Sequence, residues 1–275
     1  MGQLHKGKVN KELKKTAILV VAKEVKMSKS VYEKMVKSAA KQLAVLIDPD
    51  KQSAESLSAL VQQAESCRAD FFFVGGSLLL KGSFEQTVRS IKAQSKLPVV
   101  IFPGNNYQVS EAADAILLLS LISGRNPEYL IGQHVSAAAD LKKSNLEIIP
   151  TGYLLIDGGR ISTTSYITQT VPIPADKNDV AVATALAGEM LGLKSIYLEA
   201  GSGAQNPVSA KMIKQVKRNI TTPLIVGGGI RTGEQADEIS RAGADIIVIG
   251  NILEKDPEAL MEIALGVKSV DKSRL

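Results

Sequence analysis

The residues best able to do chemistry form one short run, Tyr197-Leu198-Glu199-Ala200-Gly201-Ser202-Gly203. In an extended strand, positions 197 and 199 project to the same side, so a phenol and a carboxylate would face one ligand. A carboxylate held there can accept the proton of a hydroxyl group, and the small residues after it let backbone approach the same ligand. An ion pair between Glu199 and a lysine on a neighbouring strand end is the plainer alternative. Asp48-Pro49-Asp50-Lys51 and Gly75-Gly76-Ser77 supply a carboxylate and a hydroxyl. These hard oxygen ligands are too few for an all-protein calcium cage, but they suit a Mg²⁺ ion that keeps waters and binds substrate phosphates. Asp48 would equally serve as a turn former before Pro49. Two further endings, Gly227-Gly228-Gly229-Ile230 and Gly250-Asn251, offer bare amide N–H groups of the kind that bind phosphate, or else only permit tight turns. Phosphate on one side and Mg²⁺ on the other would imply two phosphorylated substrates.

Such residues need strands to aim them. Runs rich in Val, Ile and Leu recur at 43–47, 71–74, 99–102, 116–119, 148–155, 195–198, 224–226 and 246–249. They are near-continuous rather than alternating, as expected of parallel strands covered on both faces. Amphipathic stretches at 54–65, 85–94, 127–143, 180–191, 210–219 and 233–242 lie between most of them. Eight such units predict an α/β fold, a (β/α)8 TIM barrel whose chemistry sits at the C-terminal strand ends. The two glycine endings then follow strands seven and eight, where barrels often hold phosphate. An open doubly wound sheet is the alternative, disfavoured because no dinucleotide fingerprint is present. Two segments depart from regularity. Residues 103–113 leave little room for a crossover helix, and 158–178 form a long connection from the fifth strand that reads as a lid.

With 45% hydrophobic and 22% charged residues, the 275-residue chain is globular, not disordered. Eleven of its 33 basic residues, against three of its 28 acidic ones, fall in positions 1–41, so the net +5 belongs to that segment and the remainder carries −3. Residues 1–27 read as a solvated basic extension and 28–275 as one barrel domain, with Met27 a second candidate start. Nucleic acid is not an expected partner, because aromatics are 4%, Trp is absent and no basic run is interleaved with Phe or Tyr. No apolar run approaches the 18 to 20 residues of a membrane span, although the lysines could touch an anionic lipid surface. Cys67 is the single cysteine, which excludes an internal disulfide and suits a reducing, cytoplasmic setting. His5, His134 and Cys67 form no ligand cluster, and Phe71 to Phe73 read as a buried strand. No nucleophile for covalent catalysis stands out.

In this order, the Asp-Pro-Asp-Lys, Val-Gly-Gly-Ser, Tyr-Leu-Glu-Ala-Gly-Ser-Gly, Gly-Gly-Gly-Ile and Gly-Asn motifs resemble the geranylgeranylglyceryl phosphate synthase family over about residues 42–265. The resemblance implies a prenyltransferase that joins the 3-hydroxyl of sn-glycerol 1-phosphate to a long-chain prenyl diphosphate, geranylgeranyl by default or a longer one. It implies Mg²⁺ on Asp48 and Ser77. It places glycerol phosphate on Tyr197, Leu198, Glu199, Ala200, Gly201, Ser202 and Gly203, with the phosphate on Gly228, Gly229, Gly250 and Asn251. Glu199 would be the base, and Tyr197 would orient the glycerol or shield allylic cation character. The family's third helix is replaced by an irregular segment, in keeping with 103–113. The Ala-Gly-Ser-Gly form and residues 166–174 look like the family's second group, which implies a homo-oligomer, dimer or hexamer, with peripheral contact at the inner membrane face. Leu46 departs from the Lys that some relatives carry two residues before the metal Asp. Another phosphate-binding barrel enzyme (an isomerase, aldolase or flavin enzyme) and a non-catalytic phosphoprenyl-binding scaffold stay open as alternatives.

Overall fold

The apolar runs become strands that are covered on both faces. In the computed structural model, residues 30–80, 83–254 and 256–270 are described, and the basic extension with its Met27 start lies outside them. Strands β1 (Gln42–Ile47), β2 (Phe71–Val74), β3 (Val99–Ile101), β4 (Ala115–Ser120), β5 (Glu147–Leu155), β6 (Ser195–Glu199), β7 (Leu224–Gly227) and β8 (Ile246–Ile249) pair in sequence order, all parallel. Register Gln42 to Ile246 through Val45 to Ile249 joins β8 back to β1 and closes the barrel. Alternation then sorts the side chains. Ala44, Phe71, Phe73, Leu117, Ile149 and Ile225 fill the interior, while Leu43, Val45, Phe72 and Val74 face the helices.

The helices are α1 (Val31–Lys37), α2 (Ala54–Ser66), α3 (Phe84–Gln94), α4 (Gln133–Lys143), α5 (Thr163–Thr168), α6 (Asn178–Met190), α7 (Ala210–Asn219), α8 (Gly233–Ala242) and α9 (Ala259–Lys268). Six of them start from a hydroxyl that accepts the N–H three residues on: Ser30, Ser53, Ser83, Ser162, Ser209 and Thr232. As expected, no helix joins β3 to β4. Three features differ from the sequence reading. The stretch 127–143 is not one α-helix: Glu128–Gly132 is a wider π turn before α4, and its Tyr129 carbonyl accepts the Leu121 N–H at the end of β4. Helix α9 follows β8. Helix α1 plugs the N-terminal end of the barrel with Val31 and Met35, tied down where Glu147 accepts the Ser30 hydroxyl at 2.7 Å and the Val31 N–H at 2.6 Å.

Below the site, register is fixed by a repeated device. Asp70, Asp114 and Asp245 each stand just before a strand and accept an N–H at the start of the neighbouring one, from Leu43, Val99 and Leu224 at 2.8, 2.8 and 2.9 Å. Each also pairs with a helix lysine, Lys268, Lys92 or Lys217, at 2.6, 2.8 and 2.6 Å. Asp245 is buried and further approached by the buried Lys41 at 4.0 Å. Asp245→Ala takes the carboxylate from two lysines and a strand N–H together, and is expected to cost about 3 kcal/mol in denaturant unfolding. Among the described residues, no helix is long and apolar enough to cross a membrane.

Candidate active site

Segments after seven of the strands, all but β4, surround a polar cavity of about 520 Å³ at the C-terminal end of the barrel. Glu199 closes β6 and points into it, only 6% exposed. Its Oε1 accepts the Gly201 N–H at 2.7 Å. Burial pushes the carboxyl up to about 7, against the pull of that N–H and of the nearby Tyr197 hydroxyl. Among the described residues no lysine or arginine pairs with it, so the plainer ion-pair reading fails. Tyr197 shares the inward side, as alternation required, but lies beneath the cavity, fully buried and stacked on Phe102 at 5.2 Å with Tyr153 at 5.4 Å. Its hydroxyl sits beside the carboxylate without an aligned hydrogen bond. Leu198 and Ala200 alternate to the other face. Their side chains pack into the outer core, so within the strand-six run they hold position and do not line the cavity.

The glycine endings are specific. Gly228 and Gly229 have φ of +84° and +75°, the left-handed region that favours glycine. A Cβ at Gly228 would collide with Glu199 Oε1 and lie 2.8 Å from the Gly201 nitrogen, so only glycine lets the β7 loop rest against the acid. Ser202 Oγ donates to Asn251 Oδ1 at 3.0 Å, joining the loops after β6 and β8. Gly201, Gly203 and Gly250 line the same cavity, and Gly250 abuts Leu46, the residue that departs from the Lys of some relatives.

Asp48 Oδ1 accepts the Asp50 N–H at 3.1 Å, capping the turn Pro49–Lys51 as the plainer reading held, while its other oxygen lies 3.6 Å from Lys51 Nζ. A Cβ on Gly76 would sit 3.3 Å from this carboxylate, which places Asp48 against the segment that carries Ser77. Both line the cavity. Among the described residues no group of three or more His, Cys, Asp or Glu could cage a metal. Asp48 and Ser77 supply two hard oxygens, which could hold only a cation such as Mg²⁺ that completes its shell with water and phosphate oxygens.

A narrower apolar slot of about 100 Å³ opens from this cavity and runs between β4 and α4, past Phe102, Ile116, Leu118, Leu121, Ala137 and Leu141. The irregular segment after β3 forms one wall, through Pro103, Gly104 and Val109, where a helix would have crowded the space. Gly76, Ser77, Phe102, Tyr153 and Thr164 border both spaces. The 158–178 connection lies over them: Arg160, Thr163 and Thr164 line the cavity, and Ile167 and Thr168 the slot. It is more ordered than a plain loop, with α5 and a bridge from Ile173 to Ile156.

Sequence reasoning missed the cations of the cavity. Arg160 reaches the Gly203 carbonyl at 3.4 Å and stays exposed, Lys51 bridges Asp48 and Glu254, and Arg231 grips the carbonyls of Ala204 and Gln205. No spacing marks them, because they come from three different strand ends. His134, which belongs to no ligand cluster, stands in the slot wall with Nε2 3.3 Å from Ser120 Oγ. Cys67 caps α2 and is buried, as expected of packing.

The PcrB family matches residues 36–267. The geranylgeranylglyceryl phosphate synthase of Spirosoma linguale is 53% identical over 236 residues, which cover 86% of this chain and 95% of that protein. The same-named protein of Chitinophaga pinensis is 51% identical over 227 residues, covering 82% and 90%. A crystal structure of (S)-3-O-geranylgeranylglyceryl phosphate synthase from Thermoplasma acidophilum, in complex with substrate sn-glycerol-1-phosphate, matches with TM-score 0.83 at 36% identity. The match covers 88% of this chain and 100% of that one.

Proposed function

The chain belongs to the PcrB family, and from that premise we propose that it is a prenyltransferase joining sn-glycerol 1-phosphate to geranylgeranyl diphosphate. The observation that carries the reading is the junction of a polar cavity holding a buried carboxylate with an apolar slot. One space suits a small phosphorylated polyol and the other an isoprenoid tail.

Glycerol phosphate would sit with its phosphate on the amides of Gly228, Gly229, Gly250 and Asn251, aided by Ser202 and Gly203. Its 3-hydroxyl then meets the free edge of Glu199, whose Oε1 is held by Gly201. Glu199 takes the hydroxyl proton, the oxygen bonds to C1 of the prenyl group, and the bond from C1 to the diphosphate oxygen breaks with its electron pair leaving on diphosphate. Held by Asp48 and Ser77, Mg²⁺ would neutralise that leaving charge. The faces of Phe102 and Tyr153, 6.0 Å apart, meet at the junction, with Tyr197 stacked beneath Phe102 at 5.2 Å, and shield positive charge developing at C1. Lys51 and Arg160 add positive potential where two phosphorylated ligands meet.

The test is Mg²⁺-dependent incubation with labelled sn-glycerol 1-phosphate and prenyl diphosphates of increasing length, extracting lipid after phosphatase treatment. A prenylglycerol product is expected; none at any length, from folded protein, overturns the reading. Longer prenyl chains, homo-oligomerisation and peripheral contact with lipid belong to the same proposal. Exposed Leu80, Ile161 and Val171 on the loops around the slot support the last. Slot depth gives a further expectation. Ala137 lines the slot beside Leu141, so Ala137→Phe should lower geranylgeranyl turnover at least tenfold while a shorter prenyl diphosphate is retained, read as relative kcat/KM across the series.

A further inference from the structure

Thr164 is the one lid residue that borders both the polar cavity and the apolar slot among the described residues. It sits in α5, half-buried, with Oγ1 2.9 Å from Ser77 Oγ, and the Tyr153 hydroxyl lies near the same side chain. Three hydroxyls from three different segments, the β2 end, the lid and β5, thus converge on the line where a charged cavity becomes an apolar one. Only an amphiphile with its charge at one end of a hydrocarbon chain spans that line. A threonine hydroxyl has one proton and two lone pairs. Held by neutral neighbours alone, it can turn that proton to an anionic oxygen, a stronger bond than the one it gives up.

We infer that Thr164 binds the diphosphate of the prenyl substrate, exchanging its bond to Ser77 for one to a diphosphate oxygen, so that the lid is held down by the ligand it covers. The inference rests on the proposed function for its substrate but has a readout of its own. Thr164→Val keeps the branched shape and removes the hydroxyl; Thr164→Ser restores it. Calorimetric titration of the whole protein with inorganic diphosphate and Mg²⁺ is expected to show affinity about tenfold weaker in Thr164→Val and near wild type in Thr164→Ser. KM for the prenyl diphosphate should rise by the same factor, with KM for sn-glycerol 1-phosphate unchanged. Unaltered diphosphate affinity in a folded Thr164→Val protein overturns the inference. So does equal weakening for both substrates, or lack of rescue by serine, since either marks a merely structural hydroxyl. A wild-type protein that binds diphosphate through Thr164 yet transfers no prenyl group would instead remove the proposed function and leave the contact standing.

Discussion

Replacing Glu199 by Gln is expected to lower kcat about 10²- to 10⁴-fold, the usual range for a lost general base, and at the same time to make the protein more stable above pH 7. The two effects share a cause. The buried carboxyl titrates near 7 in the folded chain, against an ordinary value of 4.5. Between those values the folded chain keeps a proton that the unfolded chain has released, so stability falls as pH rises through this window. Above 7 the whole cost of holding a buried anion is present, about 3 kcal/mol. Glutamine never ionises, and its amide oxygen can still accept the Gly201 N–H. Thermal or denaturant unfolding at pH 4 and 8 should show the variant's advantage at the higher pH and little at the lower. In the wild type, kcat/KM should rise with pH to a plateau above about 7, whereas the residual rate of Glu199→Gln should lack that rise. A variant as active as the wild type would remove Glu199 from the chemistry.

Asp48→Asn is expected to be nearly as damaging, lowering kcat/KM for the prenyl diphosphate about 100-fold, because it removes the charged member of the proposed two-ligand Mg²⁺ site, whose other ligand, Ser77, is a neutral hydroxyl. Asparagine keeps an oxygen for the Asp50 N–H, so the cap of the Pro49–Lys51 turn survives and only the charge is lost. The Mg²⁺ titration of activity should shift to higher concentration, with KM for sn-glycerol 1-phosphate unchanged, since the residues proposed for that ligand stand at the ends of β6, β7 and β8. An unshifted Mg²⁺ dependence would show that Asp48 acts as a turn former alone.

What was legible followed from local rules. A parallel strand covered on both faces must be apolar without interruption, and that signature located all eight strands to within a residue or so at their ends. Helices with amphipathic spacing, α2, α3, α4, α6, α7 and α8, were found, whereas α1, α5 and α9 were not. Helices α1 and α5 are short, and α1 is fixed by a contact from Glu147 more than a hundred residues away, which no window of sequence contains. The acid was found because Glu199 ends a strand among small residues. Alternation turns the side chains of Leu198 and Ala200 into the outer core, so only their backbone is left to meet a ligand in the cavity.

By itself the sequence determined the barrel, the set of strand-end residues and the family, because these depend on composition, period and order along the chain. Tertiary structure decided everything that depends on distance across the barrel mouth. It decided that Glu199 would be buried with no cation of the described residues paired to it, that Lys51, Arg160 and Arg231 would meet around one cavity, and that the missing third helix would leave an apolar slot beside it. Closing the sheet brings residues from β1, β2, β5 and β8 to one rim, and the electrostatics and solvent access of that rim belong to the assembled set, not to any one segment.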